Sequence, residues 1–149
     1  EKISSLKRFD AVFLNGSSSN FEKIEKQIKN INVDIEIFKT FYKILNIQSY
    51  NLESKYLIFS GIGNPSDFYD ILVKNKFNVA REIVFPDHYN YSLHDLKKIQ
   101  NIAKNENLKI ITTEKDFMKI PEEFKKEINF LTIDLVIEDE RKLIELLTK

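Results

Sequence analysis

The sequence predicts an α/β fold in which a mainly parallel, twisted sheet carries helices on both faces. Two observations lead to this class. Short apolar segments typical of buried strands alternate along the chain with segments of helical periodicity. Several of the helical segments also begin with a capping signal directly after a strand. Parallel sheets are favoured because their strands are covered on both faces and are therefore apolar almost throughout.

The first part of the chain predicts a strand, a helix and a less regular stretch. Residues 9–14 (FDAVFL) form an apolar strand, and the apolar residues of 21–31 recur at helical spacing behind a Ser-Asn-Phe-Glu capping box at 19–22. The serines at 17–19 are a candidate phosphate contact at that helix start. Residues 33–37 alternate as in a half-exposed strand, whereas residues 38–50 fit neither period. We therefore expect residues 31–50 to form a two-stranded or irregular insertion.

The second part predicts three strand-to-helix turns. Residues 56–60 (YLIFS) form a buried strand, and Asn64 is the expected cap of a helix that begins at Pro65. The strand ending at residue 85 is followed by the capping box of Ser92 and Asp95. Further strands are predicted at 108–111 and 129–134, the first of them followed by a box at residues 113–116, and a last helix starts near residue 138.

Candidate site residues follow the carboxyl ends of these strands. Because parallel strands end at the same edge of a sheet, we expect the loops at 15–16, 61–64, 87–88 and 112–116 to share one edge, where α/β folds place their sites. His88 is a candidate acid or base beside Asp87, although an Asp-His pair is also common on ordinary surfaces. Gly61 and Gly63 permit a close backbone approach, either to a phosphate or within a tight structural turn.

Composition excludes several classes. Lys and Arg number 23, Asp and Glu also number 23, and no basic block occurs, so a nucleic-acid partner is not expected. The chain has no Cys, only two His and no apolar run of membrane-spanning length. Its 149 residues suit one domain, residues 1–149. Because the sequence opens at Glu1 and has its one Met at 118, we expect it to be a piece of a longer protein.

Three loop motifs occur in order and resemble those of a known family. They are FSGIGNP with Phe68, at residues 59–65; FPDHY with Tyr91 and Asp95, at residues 85–89; and TTEKD with Lys119, at residues 112–116. Together with residues 5–16 they resemble the carboxyl-terminal half of tetraacyldisaccharide 4'-kinase, the lipid A kinase of Gram-negative bacteria. The resemblance covers most of the chain except roughly residues 17–54.

The resemblance implies a P-loop-NTPase-related carboxyl-terminal domain of a two-domain lipid kinase. The implied reaction transfers the γ-phosphoryl group of ATP to the 4'-hydroxyl of a tetraacyldisaccharide 1-phosphate in lipid A biosynthesis. ATP and Mg²⁺ would be bound mainly by the amino-terminal half, because the family's phosphate-binding loop, G-x-x-x-x-G-K-[ST], does not occur in this sequence. We therefore expect the 149-residue chain to be inactive by itself.

The implied partners are the amino-terminal P-loop domain of the same protein and the lipid disaccharide 1-phosphate. The implied location is the cytoplasmic face of the bacterial inner membrane, with membrane contact through the missing half, while this chain itself is expected to be soluble. His88 would take the family's catalytic histidine role, either positioning or deprotonating the sugar hydroxyl or steadying the transferring phosphoryl group. Asp87 would orient the imidazole or serve only the local turn.

The expected cofactor-binding residues are Gly61, Gly63, Asn64 and Lys115, and no metal ligand is expected in this chain. For Lys115, a surface salt bridge is the alternative to a phosphate contact. The roles of Glu114 and Asp116 are left unassigned.

Two other classes compete with a kinase half. In a non-catalytic α/β binding or scaffold module, the Asp-His and Gly-x-Gly loops would be turn chemistry alone. A small hydrolase-like or nucleotide-binding domain acting alone is disfavoured, because the sequence has no G-x-S-x-G elbow and no complete G-x-G-x-x-G.

Overall fold

The computed structural model describes residues 2–16 and 21–148. Its strands are β1 (Ala11–Asn15), β2 (Glu36–Ile44), β3 (Lys55–Ser60), β4 (Asn78–Val84), β5 (Lys109–Thr113), β6 (Ile128–Leu131) and β7 (Ile133–Ile137). Its α-helices are α1 (Phe21–Ile31), α2 (Pro65–Lys74), α3 (Leu93–Glu106), α4 (Glu114–Phe117), α5 (Glu122–Lys125) and α6 (Glu140–Leu147). Within residues 2–16 and 21–148, 3-10 helices cover Ile3–Arg8 and Ile47–Ser49.

The described chain divides into two compact units. One contains the residues up to Lys43 and those from Asp134 onward, and the other runs from Ile44 to Ile133. Each unit has its own sheet, ordered β1-β2-β7 in the first and β4-β3-β5-β6 in the second. The α/β class with parallel pairing is confirmed. That the whole chain acts as one carboxyl-terminal domain stays a prediction.

In the first unit β1 and β2 pair in parallel, with Ala11 opposite Glu36. The β2 strand continues to Ile44 and so takes up much of the stretch whose sequence pattern is ambiguous. Its start is anchored by the Lys29 ammonium, which donates to the Ile35 carbonyl at 2.7 Å. The serine run at 17–19 and the capping box that starts there lie largely outside the described residues.

In the second unit all neighbouring strands are parallel, and β3 lies in the interior of the sheet. The side chains of β3 alternate between two apolar clusters. Tyr56 and Ile58 face the cluster that contains Phe68 and Leu72 of α2. Leu57 and Phe59 face the opposite cluster, which the apolar side of α3 completes with Leu96, Ile99 and Ala103. Helices therefore cover both faces of this sheet, as the sequence predicts.

Two sequence predictions are wrong, one about a strand and one about the position of a loop. A single strand over 129–134 was expected, but the chain breaks at Thr132 into β6 and β7, which belong to different sheets. The Thr132 backbone binds Asn46 and Leu45 instead: its N–H donates to the Asn46 side-chain oxygen at 3.0 Å and its carbonyl accepts from the Leu45 N–H at 2.8 Å. The second error concerns Asn15 and Gly16. Asn15 is the last residue of β1 and Gly16 follows it. Because β1 belongs to the three-stranded sheet, these two residues do not share a sheet edge with the other candidate loops.

Candidate functional site

Three of the predicted loops meet at the carboxyl edge of the four-stranded sheet. Strands β3, β4 and β5 run in parallel and end at Ser60, Val84 and Thr113. The Gly-x-Gly loop, the Asp-His loop and the α4 turn follow these ends directly. The prediction of a common edge is thus confirmed for these three loops.

His88 stands in a left-handed backbone conformation at the tip of the second loop, with φ of 59°. Its N–H donates both to the Gly61 carbonyl at 3.1 Å and to the Asp87 carboxylate at 2.9 Å. The imidazole is 73% exposed. Left-handed residues other than glycine are uncommon and cost free energy, and they concentrate at functional sites. The backbone here is held so that the imidazole points outward.

Asp87 lies between two exposed cationic or ionisable groups. Its carboxylate is 3.7 Å from His88 Nε2 and 3.8 Å from the Lys115 ammonium, which is itself 50% exposed. Both distances are too long for hydrogen bonds and correspond to loose, solvated pairs. Both partners of Asp87 therefore remain accessible to solvent.

The two glycines of the Gly-x-Gly loop lie in different surroundings, Gly61 in a buried position and Gly63 in an exposed one. A Cβ on Gly61 would lie 3.1 Å from both the Pro86 carbonyl oxygen and the Tyr91 hydroxyl, so this position is a close approach between two loops. The Gly61 N–H donates to Asp116 at 2.8 Å, which leaves neither of its backbone groups free. Gly63 and Asn64 are exposed instead.

Asn64 occupies the N-cap position of α2 as predicted, with Pro65 in the first turn of the helix. The Asn64 side chain makes no hydrogen bond to the helix backbone; it accepts from the Ser66 hydroxyl at 2.7 Å. Of the four residues assigned by sequence to cofactor binding, Gly63, Asn64 and Lys115 are exposed at this edge. Their binding role stays a prediction.

Asp116 is the residue whose importance the sequence did not indicate. Its side chain is fully buried, and its carboxylate accepts from the Gly61 N–H, from the Thr113 hydroxyl at 2.9 Å and from the Lys119 ammonium at 3.0 Å. The predicted capping box is present only in its Thr113 half, where the Asp116 N–H donates to the hydroxyl at 3.1 Å. The Asp116 carboxylate instead accepts a hydrogen bond from Gly61, in the loop that follows β3.

Aromatic side chains form the wall behind this carboxylate. The rings of Phe59, Phe85, Tyr89 and Tyr91 pack on one another with centroid distances of 4.8 to 6.4 Å. The buried Tyr91 hydroxyl has no hydrogen-bond partner among the described residues. Its burial, reinforced by the nearby charge of Asp116, raises the pKa of Tyr91 far above its usual value.

The capping box of α3 fixes the far end of the Asp-His loop. Ser92 and Asp95 form the reciprocal pair that the sequence predicts, and Asp95 also accepts from the Tyr89 hydroxyl at 3.1 Å. The Ser92 hydroxyl and N–H lower the pKa of Asp95, while the bond to that carboxylate raises the pKa of Tyr89. His94 lies in the first turn of this helix.

The described residues do not fit a metal centre. Within 2–16 and 21–148 no group of three or more acidic, His or Cys side chains is placed to hold an ion. Nor does any helix in those ranges combine the length and apolar character needed to cross a bilayer.

Comparison with known proteins gives a match along the whole chain. The family described as tetraacyldisaccharide-1-P 4'-kinase matches residues 1–149. A tetraacyldisaccharide 4'-kinase of Pelagibacter ubique is 41% identical over 149 residues, which are all of this chain and 48% of the relative. One from Rickettsia peacockii is 37% identical over 100 residues, or 64% of this chain and 31% of that relative.

A solved structure matches the fold as well. It is described as the "apo" form of LpxK from Aquifex aeolicus in complex with ATP, and it matches with a TM-score of 0.59 and 23% identity over 99% of this chain and 44% of that one. This chain therefore spans less than half the length of each of these relatives and of the solved structure. By its full-length family match and its 41% identity to a relative along every residue, this chain belongs to the tetraacyldisaccharide-1-P 4'-kinase family.

Proposed function

We propose that this chain is the carboxyl-terminal part of a kinase that phosphorylates the 4'-hydroxyl of tetraacyldisaccharide 1-phosphate with ATP in lipid A biosynthesis. The observation that carries the proposal is the family match along the whole chain. The geometry supports it, because the three loops that bear the recognisable motifs meet at one sheet edge with His88, Asp87 and Lys115 exposed.

In the proposed reaction the 4'-hydroxyl oxygen forms a bond to the γ-phosphorus, the bond between that phosphorus and the β–γ bridging oxygen breaks, and ADP leaves. The hydroxyl proton must go to a base. His88 is the candidate, since its imidazole is exposed at this edge and histidine is the side chain most often used as a general base; such bases contribute typically ~10²–10⁴-fold. Asp87, 3.7 Å from Nε2, would favour the imidazolium that forms.

Lys115 and the exposed Gly63–Asn64 backbone are the proposed contacts for phosphate oxygens. Lys115 supplies a half-exposed positive charge 3.8 Å from Asp87, and the start of α2 supplies backbone N–H groups. Because the described residues hold no cluster of metal ligands, we assign no step of the reaction to Mg²⁺ in this chain.

The remaining parts of the site belong, in this proposal, to the amino-terminal P-loop domain of the same protein. That domain would bind most of ATP and contact the inner membrane from its cytoplasmic side. The 149 residues alone would then be inactive, and phosphate transfer from ATP to the lipid by the isolated chain would contradict this division.

The decisive experiment compares His88→Ala with His94→Ala in the full-length kinase. We expect kcat to fall about a hundredfold or more for His88→Ala, with the KM for ATP unchanged, because the base acts in the transition state. His94 is the matched control, since it is the other histidine of the chain and lies on the surface of α3. Equal kcat values for both variants and the wild type would favour the non-catalytic module.

A further inference from the structure

Three loops at the sheet edge are joined by a single ion pair between the fully buried Asp116 and the partly buried Lys119. Asp116, on the α4 turn, holds the Gly61 N–H through one carboxylate oxygen at 2.8 Å and the Lys119 ammonium through the other at 3.0 Å. Lys119 in turn reaches the Tyr89 carbonyl on the Asp-His loop at 3.4 Å. We call Gly61, Asp116 and Lys119 the inner group.

The inner group connects directly to His88. The Gly61 N–H donates to Asp116, and the carbonyl of the same residue accepts from the His88 N–H at 3.1 Å. Two hydrogen bonds thus separate the buried carboxylate from the backbone of the strained, exposed histidine. The same glycine has no room for a side chain, since a Cβ there would meet the Pro86 carbonyl oxygen at 3.1 Å.

We propose that Asp116 is the positioning residue for His88: it fixes the Gly61 peptide, and through it the left-handed backbone that directs the imidazole outward. The proposal rests on the proposed function for its kinetic consequence, although its structural part does not depend on any activity. Asp116 touches no reacting atom.

A role as helix cap alone does not explain this carboxylate. Capping of α4 uses the Asp116 N–H and the Thr113 hydroxyl, and neither requires the Asp116 side chain to be buried. Burying a charge is costly unless it is paired and hydrogen-bonded. The buried Asp116 carboxylate is instead paired with Lys119 and hydrogen-bonded to the Gly61 N–H, a donor 55 residues away in sequence.

The structural test measures amide hydrogen exchange by NMR in this 149-residue chain. Asp116→Ala removes the acceptor of the Gly61 N–H, and Asp116→Asn keeps one acceptor oxygen. We expect the amides of Gly61 and His88 to exchange at least tenfold faster in Asp116→Ala and by a smaller factor in Asp116→Asn. The amide of Leu96, bonded to the Ser92 carbonyl in α3, should be unchanged.

Thr112→Val is the matched control for a general loss of stability. It removes a buried hydrogen bond of 2.7 Å to the Phe59 carbonyl in the same sheet and leaves both hydrogen bonds of Gly61 in place. The proposal would be overturned if the His88 amide exchanged as fast in Thr112→Val as it does in the Asp116 variants. Unchanged exchange at His88 in both Asp116 variants would also overturn it; should Asp116→Ala not fold, unchanged exchange in Asp116→Asn suffices.

The kinetic test uses the full-length kinase. We expect Asp116→Asn to lower kcat at least tenfold while leaving the KM for ATP unchanged, since the P-loop domain would bind the nucleotide. A normal kcat for Asp116→Asn beside a reduced one for His88→Ala would overturn the positioning role in catalysis. A normal kcat for His88→Ala would overturn the role of His88 as the base in the proposed function instead, and the exchange rates would then decide the structural claim alone.

Discussion

Two groups of charged residues occupy the same edge of the four-stranded sheet and differ in almost every physical respect. The outer group, Asp87, His88 and Lys115, is 46 to 73% exposed, and the Asp87 carboxylate lies 3.7 to 3.8 Å from the His88 imidazole and the Lys115 ammonium. The inner group joins a fully buried carboxylate to an ammonium at 3.0 Å and to a backbone N–H at 2.8 Å. Similar side chains thus serve opposite purposes, reaching outward in one group and holding loops together in the other.

In the proposed function, the outer group would take part in the chemistry while the inner group stabilises the fold. Exposed ion pairs contribute about 0–1 kcal/mol, whereas hydrogen bonds to charged groups in a protected setting contribute about 1.5–3 kcal/mol. Substitutions in the outer group should therefore leave the fold intact and change function. Substitutions in the inner group should change the fold first.

Lys115 of the outer group and Lys119 of the inner group test this difference most strongly, because they are only four residues apart in sequence. We expect Lys119→Met to lower the free energy of unfolding by about 1.5–3 kcal/mol, since it leaves the buried Asp116 charge without its ammonium partner. Lys115→Met should change it by about 0–1 kcal/mol. Urea denaturation of this chain measures both values.

A smaller loss for Lys119→Met than for Lys115→Met would invert the distinction between the groups. The m-values of the two variants should match that of the wild type, so that the comparison refers to stability and not to a change in the denatured state.

The two glycines provide the next comparison. A methyl group on Gly61 meets the Pro86 carbonyl oxygen and the Tyr91 hydroxyl at 3.1 Å, so Gly61→Ala should cost about 1–3 kcal/mol through overpacking. A methyl group on Gly63 lies 3.4 Å from the exposed, movable Asp87 carboxylate, so Gly63→Ala should stay within about 0.5 kcal/mol. Thermal unfolding of both variants gives the difference, and equal costs would mean that the loops do not approach closely at Gly61.

Local patterns predicted much of this structure from the sequence. The capping box of Ser92 and Asp95, the start of α2 at Pro65 and the alternation of apolar strands with helices all depend on residues within a few positions of one another. Such signals are present in the sequence itself, and the structure contains each of them. The convergence of the loops after β3, β4 and β5 follows from parallel pairing alone.

What could not be predicted depends on distant contacts. The break at Thr132 is made by Asn46, 86 residues away, and the placement of β1 in a separate sheet depends on its pairing with β2. Asp116 gave a misleading local signal, because its spacing from Thr113 is that of a capping box. Its partner Gly61 is identifiable only from the folded chain, although the quoted TTEKD motif with Lys119 already contained both members of the ion pair.

The left-handed backbone of His88 gives the smallest effect and the most direct test of the separation. At φ of 59° glycine avoids a steric cost of roughly 1–2 kcal/mol that alanine bears, and its greater freedom in the unfolded chain returns part of that gain. We expect His88→Gly to be about 0.5–1 kcal/mol more stable than His88→Ala.

The same pair of substitutions at Asn107, at φ of 53° where α3 ends, is the matched control. If glycine is favoured at Asn107 and not at His88, the histidine is not held in this conformation in solution. If it is favoured at both, while His88→Gly and His88→Ala lose kcat equally in the full-length kinase, the exposed imidazole is retained at a cost in stability for its function.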